Sequence, residues 1–412
     1  MTSLRRTLVA LSAGTLLAPL LLIGTSSPAT TAASRAPDPQ IKAHEAAVAW
    51  QRVANRTIYS EAGLAPPLGA LYLSFTSRAV YDAALEGHKH GRVAATAAVA
   101  RAAHDVLYAY FSASRPALDA DLAQTLSSLP EGAKADLGDE IGAAAAREMI
   151  ASRVGDGRGD TSIVYSKAPA AGIWQPQPPA TAMALPWLGF VDPVIDVTPV
   201  TLDGTDSLTS PAYFADWDEV RRVGSVGSTQ RTADQTEIAR FFANNPVAMY
   251  RDALCRYLDA EPLGLIPLTR MFARIDAAAA TSVIETWRLK YEVGFWRPFQ
   301  AIQLADTDPN PDTVEDTSWT PLVPNPAYSD YTSGHASATA PFAEVVRQTL
   351  GDDVPLVLRA AGRPDRPYAT LTALEHDALN ARIWGGLHFR DAMDDGYYLG
   401  HTTADQVMRA LR

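Results

Sequence analysis

Residues 287–298 read Trp-Arg-Leu-Lys-Tyr-Glu-Val-Gly-Phe-Trp-Arg-Pro, and within them Lys290 and Arg297 stand seven positions apart. Seven residues are two turns of an α-helix, so the spacing predicts both side chains on one face. A lysine point charge beside an arginine fork makes a clamp for a tetrahedral anion. Alone, the pair reads more simply as two solvated charges on a helix surface.

Two later segments carry groups of the same kind. Tyr331-Thr332-Ser333-Gly334-His335-Ala336 stands ahead of a predicted helix running to Leu350. There the Ser333 hydroxyl can donate, Gly334 lets a backbone N–H come close to an anion, and the helix start adds partial positive charge. His335 is then placed for proton transfer near neutral pH, although Ser-Gly-His by itself is equally a turn followed by a helix cap. In Arg382-Ile-Trp-Gly-Gly386-Leu-His388 the arginine and histidine lie six apart, a spacing that faces them differently on a continuous helix. The two glycines between them predict a bend that turns both into one cavity.

The order Lys-x6-Arg-Pro, Ser-Gly-His, Arg-x5-His resembles the signature of the superfamily joining vanadium-dependent haloperoxidases to type 2 phosphatidic acid phosphatases and bacterial acid phosphatases. The motifs span roughly residues 230–412, and the bacterial haloperoxidase branch also places helices before its catalytic bundle. The resemblance implies that Lys290, Arg297, Ser333, Gly334 and Arg382 hold the oxygens of vanadate or phosphate. It implies that His388 binds vanadium or attacks phosphorus, that His335 is the acid/base, and that Lys290 polarises the bound group. The expected small-molecule partners are hydrogen peroxide, a halide and an organic acceptor in the peroxidase reading. In the phosphatase reading the partner is a phosphomonoester, and a phosphohistidine forms at His388. A helical binding protein that keeps the pocket without turnover is a third reading.

Three departures from the family pattern stand out. Thr332 occupies the place of a proline before Ser-Gly-His, and Ala381 that of a serine before Arg382. The aspartate that phosphatases carry four residues after the last histidine is missing, since that place is Ala392 and Asp391 lies one position early. Trp287 and Tyr328 match aromatic positions of chloroperoxidases, where an apolar wall desolvates a halide; they are equally good core residues. Asp306-Thr-Asp308-Pro-Asn310-Pro-Asp312 imitates the start of a calcium loop but has Pro311 where the glycine belongs and Thr317 where the closing glutamate belongs, leaving a cation loop or a plain acidic turn.

The rest of the chain predicts an all-α fold, a helical bundle with an N-terminal helical layer. Leu68, Leu71, Tyr72, Phe75 and Ala79 form one helical stripe, and Val99, Ala103, Val106, Leu107 and Tyr110 a second. Pro66, Pro67 and Pro116 mark helix starts. From Lys167 to Pro211 eight prolines and scattered aromatics break the periodicity, which predicts an irregular cover over the bundle. No alternation strong enough for a sheet is visible. Residues 34–228 are therefore taken as an N-terminal helical region with its cover, and 229–412 as the catalytic region.

Residues 1–33 read as an export signal: Arg5 and Arg6, an apolar run from Leu8 to Gly24, then small residues to Ala33. Its removal would take two positive charges and no acid, moving the net charge from -11 to -13 and leaving no stable membrane insertion. So acidic a chain excludes a nucleic-acid partner of the usual basic kind. Of 412 residues 47% are hydrophobic, enough for a sizeable core. Cys255 is the sole cysteine, which excludes an intrachain disulfide and a multi-thiolate zinc site. The expected protein is secreted and soluble.

Overall fold

Glycine and alanine set how closely the first helices pack in the computed structural model, which describes residues 42–412. The export signal expected over residues 1–33 lies outside the described residues. α1 (Ala43–Asn55) is followed by one π-helical turn, Arg56–Glu61. Then come α2 (Pro66–His88), α3 (Arg92–Tyr110), α4 (Arg115–Ser127) and α5 (Ala133–Ser152). A methyl group on Gly138 or Gly142 of α5 would fall 2.3 Å from the Ala94 carbonyl or 2.4 Å from the Ala98 carbonyl of α3, so these two backbones touch only because the glycines lack a Cβ. Both predicted stripes are packing faces: Leu71, Phe75 and Ala79 of α2 are buried, as are Val99, Ala103, Val106 and Leu107 of α3.

The C-terminal elements are α6 (Pro211–Gly224), α7 (Ala233–Phe241), α8 (Pro246–Ala260), α9 (Leu265–Glu292), α10 (Pro298–Gln303), α11 (Ala336–Leu350), α12 (Leu371–Trp384) and α13 (Arg390–Ala410). Their starts carry the expected chemistry. Ser210, Thr232, Asn245 and Thr370 each accept a backbone N–H from the first turn they cap. α9 packs against α2 on one side and α11 and α13 on the other, so it is buried nearly all round. The buried Arg251–Asp276 pair joins α8 to α9, and Gln51 of α1 and Ser77 of α2 add hydrogen bonds to it. A buried pair without such partners would cost several kcal/mol.

The fold is all-α as predicted, with one exception among the described residues. A two-stranded antiparallel sheet joins β1 (Leu356–Leu358) to β2 (Arg366–Tyr368), with Val357 opposite Pro367. Strands of three residues are too short to show an alternation in sequence. The proline-rich stretch 167–211 holds one 3-10 turn, Pro186–Phe190, and lies on the bundle. Trp174 and Leu188 are buried, and a Cβ on Gly189 would meet the Arg288 amide of α9 at 2.3 Å. Among the described residues no helix is long and apolar enough to cross a membrane.

Candidate oxyanion site

Lys290 occupies the last turn of α9, and Arg297 directly precedes α10 as its N-cap, so one continuous helix does not carry both. The reason is Gly294, whose φ of 66° reverses the chain between them. A side chain there would also strike the Tyr165 hydroxyl, 2.4 Å from the Cβ position. The irregular segment fixes the bend: the Trp174 N–H donates to the Gly294 carbonyl (2.8 Å) and the Trp296 N–H to the Gly172 carbonyl (2.9 Å). Both cations nevertheless arrive in one place, and both are fully buried. Lys290 Nζ donates to the carbonyls of Ser329 (2.9 Å) and Asp330 (2.8 Å). Arg297 donates to those of Tyr328 (2.7 Å), Ser329 (3.3 Å) and Leu387 (2.8 Å). One guanidinium thus ties the segment before His335 to the turn before His388.

Ser333 is buried, and its N–H donates to the Ala392 carbonyl (2.8 Å), which pins it to α13. The N–H of Gly334 has no acceptor among the described residues and is free for an anion. Space also explains this glycine, because a Cβ would sit 3.1 Å from the Trp287 ring. Thr332, in the proline's place, follows a cis peptide bond and exchanges a hydroxyl hydrogen bond with Thr286 of α9 (3.1 Å). His335 caps α11, and its Nε2 lies 3.1 Å from the Phe242 carbonyl. A carbonyl only accepts, so Nε2 carries the proton and Nδ1 the lone pair. Burial, then the Arg382 charge, holds this imidazole well below the usual histidine range. This environment favours the uncharged imidazole, whose Nδ1 lone pair can take a proton.

Arg382 lies in the last turn of α12, and His388 in the loop beyond Gly385 and Gly386. The bend expected from these glycines is real: Gly386 has a φ of 74°, and a Cβ there would lie 2.5 Å from the Gly224 carbonyl. Arg382 Nη1 donates to the Phe242 carbonyl (3.2 Å), while its buried Nε has no partner among the described residues. Burial lowers Arg382 to about 10, and burial first, then the Arg297 charge, holds Lys290 well below the usual lysine range. Among the described residues no carboxylate stands at ion-pair distance from Lys290, Arg297 or Arg382, and the nearby buried acid, Asp330, touches His388 instead. Three buried cations with so little compensation, together with an orphaned guanidinium N–H, suit a multiply charged oxyanion. Vanadate and phosphate both fit this donor set.

Asp330 carries no motif and was missed in the sequence. It is fully buried, its Oδ1 lies 2.7 Å from His388 Nδ1, and burial pushes its carboxyl up to about 7 against the pull of Arg297 and Lys290. Asp391 does not take the phosphatase aspartate's place. It lines a separate small acidic cavity with Asp206, Asp216 and Asp330, and no carboxylate other than Asp330 is at ion-pair distance from His388 among the described residues. The Asp306–Asp312 stretch is a turn: Asp308 accepts from the Asn310 N–H (2.8 Å) and the Thr313 hydroxyl (2.9 Å), and Asn310 Oδ1 accepts from the Asp312 N–H (3.0 Å). Among the described residues no three acidic, histidine or cysteine side chains gather to hold a metal cation.

Trp287 and Tyr328 do border the site. Their ring centroids are 5.0 Å apart, and the Tyr328 ring lies 5.1 Å from Lys290 Nζ and 5.0 Å from the Arg297 guanidinium carbon. With Pro66 and Pro67 of α2 and Pro246 and Val247 of α8 they wall a cavity whose polar lining is His335 and Gly334.

Residues 270–412 match the family model of the VCPO second helical-bundle domain. The chain is similar in structure to a bacterial vanadium-dependent iodoperoxidase, with a TM-score of 0.73 at 18% identity over 90% of this chain and 97% of that one. It is also similar to a bacterial vanadium-dependent chloroperoxidase. The apo form gives a TM-score of 0.66 at 15% identity over 84% of this chain and 94% of that one. The holo form gives 0.64 at 14% over 84% and 93%. No curated protein matches the sequence. The C-terminal third of the chain therefore carries that helical-bundle domain, and the chain as a whole shares the fold of these haloperoxidase structures.

Proposed function

We propose that this protein is a vanadate-dependent haloperoxidase, oxidising a halide with hydrogen peroxide and releasing hypohalous acid or halogenating an organic acceptor. The observation that carries the reading is the set of three buried cations, Lys290, Arg297 and Arg382, without carboxylate partners among the described residues, beside the buried His388 and the partly buried His335. Lys290, Arg297, Arg382, the Ser333 hydroxyl and the Gly334 N–H would hold vanadate oxygens, and His388 would bind the vanadium. Bound vanadate supplies a Lewis acid that activates peroxide towards halide attack. His335, with its lone pair on Nδ1, takes a proton from hydrogen peroxide. Lys290 Nζ keeps a donor for the reacting oxygen, and the apolar wall of Trp287, Tyr328 and the prolines excludes water from the halide.

A second reading is favoured by the Asp330 carboxylate behind His388. In a phosphomonoesterase the His388 Nε2 would attack phosphorus as the ester P–O bond breaks, with the leaving oxygen taking a proton through His335. The apolar wall beside His335 supports the first reading, because a phosphomonoester brings a charged group and a leaving alcohol to that side. A paired assay decides: monochlorodimedone halogenation with vanadate, peroxide and bromide or iodide, against p-nitrophenyl phosphate hydrolysis. The haloperoxidase reading expects turnover in the first; hydrolysis alone, or silence in both, overturns it. Export is proposed on the residue 1–33 pattern, and intact mass of secreted protein still bearing Met1 would contradict it.

A further inference from the structure

The two oxygens of Asp330 and the Nδ1 of His388 are buried, and among the described residues none of the three makes a well-aligned hydrogen bond, although the Phe389 backbone N–H lies near the Asp330 carboxylate. Oδ1 and Nδ1 are nevertheless 2.7 Å apart. Their nearness comes from the backbone rather than from two chance rotamers. Lys290 Nζ holds the Asp330 carbonyl, the Ser329 hydroxyl donates back to the Lys290 carbonyl (2.7 Å), and Arg297 bridges the Ser329 and Leu387 carbonyls. Lys290 thus holds residues 329–330, and Arg297 links Ser329 to Leu387, the residue before His388. A buried polar group left without a partner costs about 1–3 kcal/mol, so two such groups in contact have a strong reason to bond to each other.

We propose that Asp330 is the positioning residue of His388: it accepts the Nδ1–H, fixes the tautomer, and presents Nε2 as the lone-pair nitrogen to the oxyanion. A carboxylate accepts and a neutral imidazole has one N–H, so the bond leaves only Nε2 able to act as ligand or nucleophile. The opposite tautomer protonates Nε2 and can do neither. Small rotations that align the N–H with Oδ1 accompany anion binding, as catalytic hydrogen bonds commonly tighten in the loaded site. Carboxylate partners of this kind also raise the basicity of a ligating histidine. What Nε2 meets rests on the proposed oxyanion site; which nitrogen carries the proton does not.

The experiment uses full-length protein with 15N-labelled histidine imidazoles, assigned through His388→Gln, together with isothermal titration of orthovanadate and of inorganic phosphate. The wild type should show His388 protonated on Nδ1 and bare on Nε2. Asp330→Asn keeps an acceptor oxygen and should keep that tautomer and most of the affinity. Asp330→Ala should lose the fixed tautomer and bind vanadate about 10–100-fold more weakly, the usual cost of removing such a partner. A wild-type His388 protonated on Nε2 overturns the proposal, and this result does not depend on any variant folding. So does a folded Asp330→Ala with unchanged tautomer and affinity. If the tautomer follows Asp330 while the wild type binds neither anion, the positioning role stands and the oxyanion reading falls.

Discussion

At the scale of single residues, most of the site could be read from spacing, and what could not shares one physical character. Ser333, His335, Arg382 and His388 are legible because a short motif keeps reactive groups at fixed offsets. Asp330 is not, because a lone aspartate in a loop has neither period nor motif, and its meaning comes from the turn at Leu387–His388 that meets it from elsewhere in the chain. Gly386 shows how one residue sets that turn. Its positive φ and its approach to the Gly224 carbonyl leave no place for a methyl group. Gly386→Ala should therefore lower stability by at least about 1–2 kcal/mol, the cost of the left-handed backbone for an ordinary residue. Chemical denaturation gives the readout, and vanadate affinity should fall alongside as His388 moves. A variant as stable and as tight as wild type would show that the bend is not set there.

At the scale of elements, Gly294 explains why helical spacing misplaced Arg297 yet still found it: the bend brings the side chain to the same site by another path. The β1–β2 hairpin was missed because three-residue strands carry no readable alternation. A different feature ties the last helices together. His401 of α13 sits between Glu344 of α11 and Glu375 of α12, 3.0 Å from each. Partial burial works against its charge, but Glu375 and Glu344 prevail and raise its pKa above the usual histidine value. A raised folded-state pKa gives stability that is complete below the unfolded value of about 6.5 and is lost as pH rises through the folded value. Wild type should therefore exceed His401→Gln in Tm at pH 6, with the difference shrinking by pH 9. A difference constant across that range would show that His401 holds the helices by packing rather than charge.

At the scale of the whole molecule, the helical class was legible because long periodic stripes and capped helix starts dominate the sequence, as α2, α7 and α8 show. The path of residues 167–211 was not, because its order comes from pairing with Gly294, Ala327 and the back of α9 rather than from any local preference. That folding leaves three cations buried around one point, and an oxyanion filling it should stabilise the whole chain. Orthovanadate at 100 times its dissociation constant adds about 2.7 kcal/mol, with phosphate competing. The most direct test of the site is vanadate titration of His388→Ala and His335→Ala, paired with peroxidase and phosphatase rates. His388→Ala should lose both vanadate affinity and turnover. His335→Ala should bind nearly as wild type while turnover falls about 10²–10⁴-fold, the contribution of a positioned acid/base. A folded His335→Ala that loses vanadate as completely as His388→Ala, or a His388→Ala that keeps near-normal turnover, would contradict the account.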